Sequence, residues 1–176
     1  MALVTSKKLL TLVLTIDKDG HRVLLGMKKR GFGAGKFNGF GGKVEKGETI
    51  EQGARRELVE EAEIEAIDME RVGMLMFTFE KDLVGLETHV FITTSYKGTP
   101  TETEEMRPEW YAFDQIPFDQ MWSDDRYWFP FVLNDQHFSG HFHFGEDQKT
   151  ILKHDLNVVQ QGDTLQPGFQ LDKVHL

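Results

Sequence analysis

Residues 41 to 64 read GGKVEKGETIEQGARRELVEEAEI, a glycine pair followed by a helical pattern. Thr49 precedes Gln52 by three residues, and this capping-box spacing predicts a helix that begins at residue 50. The apolar residues that follow recur at the spacing of one helix face: Ile50, Ala54, Leu58 and Ala62. The sequence therefore predicts a helix over residues 50–62 that starts directly after a glycine-rich loop.

Three glutamates of this helix share one side. At about 100° per residue, Glu57, Glu60 and Glu61 fall within an arc of about 100°, and Gly53 lies in the same arc one turn earlier. The simplest interpretation of such a cluster is a solvated acidic face. These acids, however, border the apolar stripe, so we expect them to be partly shielded and to repel one another.

A divalent cation would relieve this repulsion. Mg²⁺ and Mn²⁺ take carboxylate oxygens and water, and they commonly bridge to the phosphates of a substrate. The loop before the helix supports a binding role, because residues 30–47 contain seven of the 17 glycines, interleaved with Phe32, Phe37 and Phe40. The pattern indicates metal-assisted phosphate chemistry.

The composition predicts a soluble, globular protein of one domain. The chain has 176 residues, of which 39% are hydrophobic and 28% charged. A formal net charge of −9, without a basic run that could track a phosphate backbone, argues against duplex nucleic acid as a partner. The absence of cysteine excludes disulfides, thiolate zinc sites and cysteine nucleophiles, so a metal would have to bind oxygen or imidazole.

The N-terminal segment has two lysines before an apolar run, as a secretory signal does. The residues that follow, Asp17 to Gly20, offer no small-residue cleavage site and predict a hairpin turn into the apolar run 22–27. We considered a calcium loop at Asp17, but no glutamate occupies its twelfth position. Two strands and a cytoplasmic location are therefore predicted.

The rest of the chain predicts an α/β fold. Alternation and β-branched residues predict strands over 72–80, 86–96, 105–113 and 137–144, with Pro108 placing the third at an edge or a bulge. Residues 123–133 predict a second helix, capped by Ser123 and kinked or shortened by Pro130. From about residue 156 the sequence becomes polar, so we predict a domain over 1–156 and a C-terminal tail over 157–176.

The segment of residues 41–64 resembles the Nudix box, a pattern of glycine, glutamate and arginine residues at fixed spacing. The matching positions are Gly42, Glu48, Arg56, Glu57, Leu58, Glu60, Glu61 and Ile64. Glu63 departs from it, because the family has glycine there to close the helix in a left-handed conformation. We expect either a cost of about 1 kcal/mol or a helix that continues a little and ends differently. The resemblance implies a Nudix fold, an α/β/α sandwich with a mixed central sheet flanked by the Nudix-box helix and a second helix. It also implies hydrolysis of a nucleoside diphosphate linked to another group.

Four further segments, 9–14, 22–44, 98–110 and 114–130, resemble the animal MutT-type members of this family, which hydrolyse oxidised purine nucleoside triphosphates. The resemblance covers about residues 9–156 and implies purine contacts from Asn38, Trp122, Asp124 and Asp125. It implies that six further residues line the pocket: Thr11, Phe32, Phe77, Met106, Trp128 and Phe144.

The chemistry of these side chains is suited to a purine. An indole can stack on a base, an amide can donate and accept along its edge, and one of two adjacent buried acids can keep a proton. Each assignment has a structural alternative. Asp124 and Asp125 could simply complement a helix dipole, and Trp122 and Trp128 could simply pack in the core.

The resemblance also implies a catalytic centre. The metal, Mg²⁺ with Mn²⁺ as a possible substitute, would be held by a carbonyl of Gly41 or Gly42 together with four acids: Glu57, Glu60, Glu61 and Glu105. Arg56 would orient Glu57 or its neighbours, with Glu48 as its partner, and Lys28 and Lys43 would contact phosphate. Water would attack the triphosphate, releasing a nucleoside monophosphate and pyrophosphate, and either Glu61 or Glu105 would be the base.

The resulting hypothesis is a monomeric enzyme that sanitises the nucleotide pool and thereby prevents misincorporation into DNA. It would bind a small nucleotide and neither a nucleic acid polymer nor a membrane, and the resemblance adds the nucleus and mitochondria as possible locations. The alternatives are a Nudix hydrolase for ADP-ribose, diadenosine polyphosphates or capped RNA ends, a non-catalytic nucleotide-binding Nudix domain, and a module that binds a partner through the acidic helix.

Overall fold

The structure is a computed structural model and describes residues 4–160. In chain order, the described strands and helices are β1 (Ser6–Asp17), β2 (Arg22–Lys28), β3 (Phe37–Asn38), α1 (Ile50–Ala62), β4 (Glu65–Ala66), β5 (Glu70–Phe79), β6 (Val84–Thr93), β7 (Tyr96–Lys97), β8 (Met106–Ala112), α2 (Asp125–Leu133), β9 (His137–Phe144) and β10 (Ile151–Val159). Short 3₁₀ turns span Phe113–Gln115 and Phe118–Gln120. No helix within residues 4–160 has the length and apolar character needed to cross a membrane.

The chain divides into two compact units. One, which we call the helix-1 unit, contains residues 11–71 and 90–122 and includes α1. The other, the helix-2 unit, contains residues 4–10, 72–89 and 123–160 of the described chain and includes α2.

Strand β2 organises the sheet of the helix-1 unit. It pairs antiparallel with β1, with β3 and with β8. The turn between β1 and β2 is held by Asp17, whose Oδ1 accepts a hydrogen bond from the backbone N–H of Gly20 at 2.9 Å. The predicted hairpin is confirmed, and so is the strand that contains Pro108.

Helix α1 begins and ends at the residues that the sequence predicts. The Thr49 hydroxyl accepts from the N–H of Gln52 at 3.1 Å, and the Gln52 side chain accepts from the N–H of Thr49 at 2.8 Å. Its apolar face packs in a core with residues of the surrounding sheet, including Val13, Phe40, Phe91 and Met106. Burial of each such large side chain contributes about 1.5–3 kcal/mol, which is what holds the helix in place.

The C-terminus of α1 is closed by Glu63 in the left-handed conformation, with φ at 57° and ψ at 29°. Its N–H donates to the carbonyl of Val59 at 3.0 Å. Of the two outcomes expected at this position, the left-handed end is therefore the one observed, and a residue with a Cβ adopts it.

The helix-2 unit contains a mixed sheet. Strands β5 and β9 pair in parallel, from Gly73 opposite Phe138 to Phe79 opposite Phe144, whereas β9 and β10 are antiparallel. Helix α2 packs on β9 through stacked rings, with Trp128 and Phe138 centred 5.7 Å apart. The predicted α/β fold with a mixed sheet and two helices is confirmed.

Several boundaries differ from the sequence prediction, and the larger differences lie at α2, at the end of β6 and near the C-terminus. Helix α2 starts at Asp125 with Asp124 as its N-cap, and the predicted Ser123 cap is wrong because the Ser123 hydroxyl donates to the carbonyl of Lys149 at 2.7 Å. Strand β6 ends at Thr93, where the next two residues turn to bind Asp68. Strand β10 was not predicted, and it continues to Val159, beyond the boundary at residue 156.

Candidate active site

The three acids of α1 differ sharply in their exposure. Glu61 is buried, with 6% of its surface exposed, and the side chain of Glu57 is 14% exposed. The side chain of Glu60 is 56% exposed. A solvated acidic face therefore describes only Glu60, and the partial shielding that the sequence predicts applies to the other two.

The glycine pair before the helix lies directly against these buried acids. The backbone N–H of Gly41 donates to Glu61 Oε2 at 3.0 Å. A Cβ at Gly41 would lie 1.9 Å from the carbonyl oxygen of Thr11, and a Cβ at Gly42 would lie 2.6 Å from Glu57 Oε1. Only glycine fits at Gly41, where the clash is with backbone, whereas a Cβ at Gly42 would require the Glu57 carboxylate to shift.

Arg56 joins four groups around the start of the helix. Its Nε and Nη2 donate to the two oxygens of Glu48 at 3.1 and 2.7 Å, and its Nη2 also donates to the carbonyl of Lys43 at 3.0 Å. Its Nη1 donates to Glu57 at 2.9 Å and to Glu60 at 3.2 Å. Bidentate pairing with a carboxylate fixes the plane of the guanidinium, which in turn orients the Glu57 carboxylate.

The electrostatic environment separates these carboxylates. The hydrogen bonds from Arg56 and from the N–H of Glu45 lower the pKa of Glu48 to about 2. Burial raises the pKa of Glu57, although Arg56 opposes the shift. Burial, together with the charge of Glu57, raises the pKa of Glu61 to about 8 against the opposing Gly41 hydrogen bond. The helix thus holds two acids that are costly to ionise in the absence of a counter-charge.

The fourth predicted acid, Glu105, lies on a loop that is attached to the helix. The Thr103 hydroxyl donates to the carbonyl of Glu61 at 3.1 Å and accepts from the N–H of Glu105 at 3.3 Å. The Glu105 carboxylate itself is bound by Arg30, whose hydrogen bond is the main reason that its pKa is lowered. This loop, with Lys29, Arg30, Glu60 and Glu63, lines a cleft of about 740 Å³.

The carboxylate and carbonyl oxygens of this site are suited to a hard divalent cation, although they are not gathered around one point. Within residues 4–160, no three carboxylate or imidazole side chains are close enough together to hold a metal ion. Oxygen ligands nevertheless predominate, and Glu57 and Glu61 are shielded carboxylates pressed against the loop backbone, where a cation would offset their repulsion. The carbonyl of Gly42 already accepts from the N–H and hydroxyl of Thr11 at 2.9 and 3.3 Å, so Gly41 is the better carbonyl candidate.

Trp122, a predicted purine contact in the helix-1 unit, is held by the glycine loop. Its ring stacks on Phe32 with centroids 4.9 Å apart, and Lys36 Nζ lies 5.2 Å from the ring centroid. Gly33, at φ 85°, brings the loop backbone close to the indole. A base that stacks on Trp122 would therefore join or replace Phe32, which is 59% exposed.

The other predicted pocket residues of the helix-1 unit are less accessible. Asn38 is half-buried and its Oδ1 accepts from the N–H of Gly39 at 2.8 Å. Thr11 and Met106 are buried. Lys28, at the end of β2, brings positive charge near Glu61 and Glu105.

The helix-2 unit holds the remaining predicted pocket residues. Asp124 and Asp125 are both buried, and Asp124 Oδ2 accepts from Trp128 Nε1 at 2.9 Å. Burial raises the pKa of Asp124 to about 6, against the opposing hydrogen bond of Trp128. Trp128 is a core residue, 1% exposed, and Phe77 packs against Phe144 with centroids 6.1 Å apart.

A comparison with models of protein families identifies the family of the chain, and the matched residues include the acidic helix. The model of the NUDIX domain matches residues 7–132, which include the glycine pair, all of α1 and Glu105. The chain belongs to the Nudix family. The predicted family and the Nudix fold are confirmed.

The relatives of this Nudix protein include two that match almost from end to end. The oxidized purine nucleoside triphosphate hydrolase of Mus musculus is 52% identical over 155 residues, which are 88% of this chain and 97% of that protein. The protein of the same name from Danio rerio is 50% identical over the same shares of both chains. Among solved structures, a MutT mutator protein from Bacillus halodurans has a TM-score of 0.75 at 27% identity, over 85% of this chain and 97% of that chain.

Sequence reasoning missed the basic partners of this Nudix site. Arg30 binds Glu105, Lys29 Nζ lies 3.0 Å from Glu102, and Lys36 lies over Trp122. The run Lys28-Lys29-Arg30 just before the glycine loop was the available signal. The partners themselves follow 73 to 86 residues later in the chain, so their pairing cannot be inferred from local spacing.

Proposed function

We propose that this Nudix protein hydrolyses oxidised purine nucleoside triphosphates, such as 8-oxo-dGTP and 2-oxo-dATP, to the nucleoside monophosphate and pyrophosphate. The observation that carries the proposal is the pair of shielded acids, Glu57 and Glu61, held against the Gly41–Gly42 backbone. The mouse and zebrafish relatives, both named oxidized purine nucleoside triphosphate hydrolase, support the substrate class. The cellular role would be to remove damaged nucleotides before a polymerase incorporates them into DNA.

Mg²⁺ is the proposed cofactor, with Mn²⁺ as a substitute. Its proposed ligands are the Gly41 or Gly42 carbonyl and four carboxylates: Glu57, Glu60, Glu61 and Glu105. When bound, the ion would polarise the phosphoryl oxygens and lower the pKa of a water molecule. Oxygen-only ligands and the high cost of ionising Glu61 support this assignment.

The protein side chains supply orientation and proton transfer. Arg56 fixes the Glu57 carboxylate through its bidentate pair with Glu48. Lys28 and Lys43 would contact the phosphates. In the metal-free protein burial raises the pKa of Glu61, whereas Arg30 lowers the pKa of Glu105. Either Glu61 or Glu105 would accept the proton from the attacking water.

Purine recognition is assigned to Asn38, Trp122, Asp124 and Asp125. The raised pKa of Asp124 supports a carboxyl that can keep a proton and donate it in a hydrogen bond to the base. A donor and an acceptor side by side suit purines whose edges carry altered hydrogen-bonding groups. The pocket lining would come from Thr11, Phe32, Phe77, Met106, Trp128 and Phe144.

Three further properties belong to the same proposal. The enzyme would act as a monomer, and it would work in the cytoplasm, with the nucleus and mitochondria as further locations. Residues 1–156 would form the Nudix domain and 157–176 a tail, of which residues 157–159 continue strand β10. The first part of that division is compatible with the family match over 7–132, whereas residues 161–176 lie outside the described chain.

The proposal is tested by pyrophosphate release from four nucleotides, each with Mg²⁺ and again with EDTA. We expect 8-oxo-dGTP and 2-oxo-dATP to be hydrolysed at low micromolar concentration, dGTP more slowly, and ADP-ribose not at all, with all activity lost in EDTA. Activity on ADP-ribose alone would be consistent with Nudix hydrolysis but would refute the assignment of the pocket residues to an oxidised purine. No activity on any of the four would refute the proposed reaction.

A further inference from the structure

Arg30 lies where β2 leads into the glycine loop, and it binds the carboxylate of Glu105. Its Nε and Nη2 both donate to Glu105 Oε1, at 3.1 and 2.5 Å. Its Nη1 lies 3.7 Å from a carboxylate oxygen of Glu104. Both partners are accessible, with Arg30 59% and Glu105 38% exposed at the side chain.

The backbone around Glu105 is held by other contacts. The N–H of Lys29 donates to the carbonyl of Glu105 at 2.9 Å, and Lys29 Nζ donates to the carbonyl of Thr103 at 2.9 Å. Thr103 is in turn attached to the end of α1 through the carbonyl of Glu61. Arg30 therefore determines where the Glu105 carboxylate points, whereas Lys29 and Thr103 determine where the loop lies.

This pairing bears directly on the proposed metal ligands. Glu105 is one of them, yet its carboxylate is engaged by a cation of the protein, and no cluster of three acids is assembled within residues 4–160. An ion pair between accessible side chains is weak, so it can be exchanged at little cost. A guanidinium released from a carboxylate is also a strong ligand for a phosphoryl oxygen.

We propose that Arg30 is a positioning residue that withholds the Glu105 carboxylate from the metal until the triphosphate arrives. On binding, Glu105 exchanges Arg30 for the metal, and the Arg30 guanidinium moves to a phosphoryl oxygen of the substrate. The inference rests on the proposed function. It adds a residue that neither the Nudix pattern nor the acidic helix identifies, and it makes metal binding and substrate binding depend on one another through a single side chain.

The exchange predicts two opposite effects of the substitution Arg30→Met. Without nucleotide, Mn²⁺ should bind about three- to fivefold more tightly, because Glu105 no longer has to leave an ion pair. With 8-oxo-dGTP as substrate, KM should rise roughly tenfold while kcat changes less than about twofold, because a charge-assisted hydrogen bond to the substrate is lost. Loss of a merely structural contact would not tighten metal binding.

The test measures Mn²⁺ affinity by titration and turnover by pyrophosphate release in the full chain. Arg107→Met is the matched control, since Arg107 is similarly exposed at 49% and lies 4.0 Å from Glu109. Neither its Mn²⁺ affinity nor its KM should change. In the Glu105→Gln background, adding Arg30→Met should leave Mn²⁺ affinity unchanged, and Arg30→Lys should lie between wild type and Arg30→Met.

The outcomes separate this inference from the function on which it rests. If the wild type binds Mn²⁺ and hydrolyses 8-oxo-dGTP, but Arg30→Met behaves like Arg107→Met, the inference is overturned and the proposed function is retained. Tighter binding that persists in the Glu105→Gln background would also overturn it, because the effect would not pass through Glu105. A wild-type protein that neither binds Mn²⁺ nor releases pyrophosphate would overturn the proposed function itself.

Discussion

Glu61 illustrates, at the scale of one residue, how a functional group can oppose folding. It is buried beside Glu57, and the backbone N–H of Gly41 donates a hydrogen bond to its carboxylate. Its pKa lies near 8 in the folded chain, above the ordinary value of a glutamate. In the absence of metal, ionisation of this group therefore destabilises the fold as the pH rises from about 4.5 toward 8.

Glu61→Gln should consequently stabilise the metal-free protein while it removes activity. At pH 8 in EDTA we expect the melting temperature to rise by at least about 2 °C, because the buried charge is absent and an amide oxygen can still accept from Gly41. The gain should shrink as the pH falls toward 5, where the wild-type carboxyl keeps its proton. Thermal unfolding at several pH values measures this.

The control for Glu61→Gln is Glu60→Gln, at a position whose side chain is 56% exposed. It should change the free energy of unfolding by no more than about 0.5 kcal/mol. If Glu61→Gln lowered the melting temperature in EDTA, the account of a buried carboxylate that is costly to ionise would be contradicted.

Glu63 tests the strain at the end of the Nudix helix. Because its φ is 57°, Glu63→Gly should raise the free energy of unfolding by about 1 kcal/mol, whereas Glu63→Ala should bring no gain. Chemical denaturation of the three proteins would measure the difference. A comparable gain in Glu63→Ala would show that the carboxylate, and not the backbone conformation, is the cause.

At the scale of elements, the junctions of the helix-1 unit are fixed by side chains that bind backbone. Asp68, between β4 and β5, accepts hydrogen bonds from the N–H groups of Thr94 and Ser95 and from the hydroxyls of Thr93 and Thr94. Burial would raise the pKa of Asp68, but these bonds prevail and lower it to about 2. They also explain why β6 stops at Thr93.

Asp68→Asn should therefore cost stability in a pH-dependent way. The folded pKa lies below the unfolded value of 3.8, so the contribution of the charged group is fully present above about pH 4 and is lost as the pH falls toward 2. We expect the variant to unfold at lower denaturant concentration than the wild type at pH 7, and the gap to narrow below pH 4. A gap that did not depend on pH would assign the effect to packing.

The elements also show what sequence can predict. The bounds of helix α1 follow from the sequence because its cap and apolar stripe are local signals. The start of α2 does not, since the Ser123 hydroxyl binds Lys149, 26 residues away. Strand β10 was missed because an edge strand with mostly exposed side chains lacks alternation. For the candidate site, the three acids of α1 could be inferred from their spacing, whereas Glu105 followed only from the family resemblance. The Arg30–Glu105 pair spans 75 residues of chain and has no local signal.

At the scale of the whole molecule, the proposed metal ligands and the two aspartates belong to different compact units. Glu57, Glu61 and Glu105 lie in the helix-1 unit, and Asp124 lies in the helix-2 unit. Metal binding and the part of purine recognition that is assigned to Asp124 should therefore be separable by mutation. The Asp124→Asn variant should raise KM for 8-oxo-dGTP roughly tenfold through the loss of the carboxyl group that donates to the base, with Mn²⁺ affinity unchanged.

Asp119→Asn, at an exposed position in the second 3₁₀ turn, is the matched control for Asp124→Asn and should leave KM unaltered. Equal KM values for wild type and Asp124→Asn would show that Asp124 has only a structural role, through its contact with Trp128. A parallel loss of Mn²⁺ affinity would show that the two functions are not separable.

The most direct test of the central claim compares pyrophosphate release from 8-oxo-dGTP by the wild type and by Glu57→Gln, both with Mg²⁺. The shielded acids of the Nudix helix are proposed to bind the metal that the hydrolysis requires. Glu57→Gln should therefore lower kcat by about two orders of magnitude or more while the chain remains folded. Turnover by Glu57→Gln equal to that of the wild type would contradict the account, because the hydrolysis would then not depend on this helix.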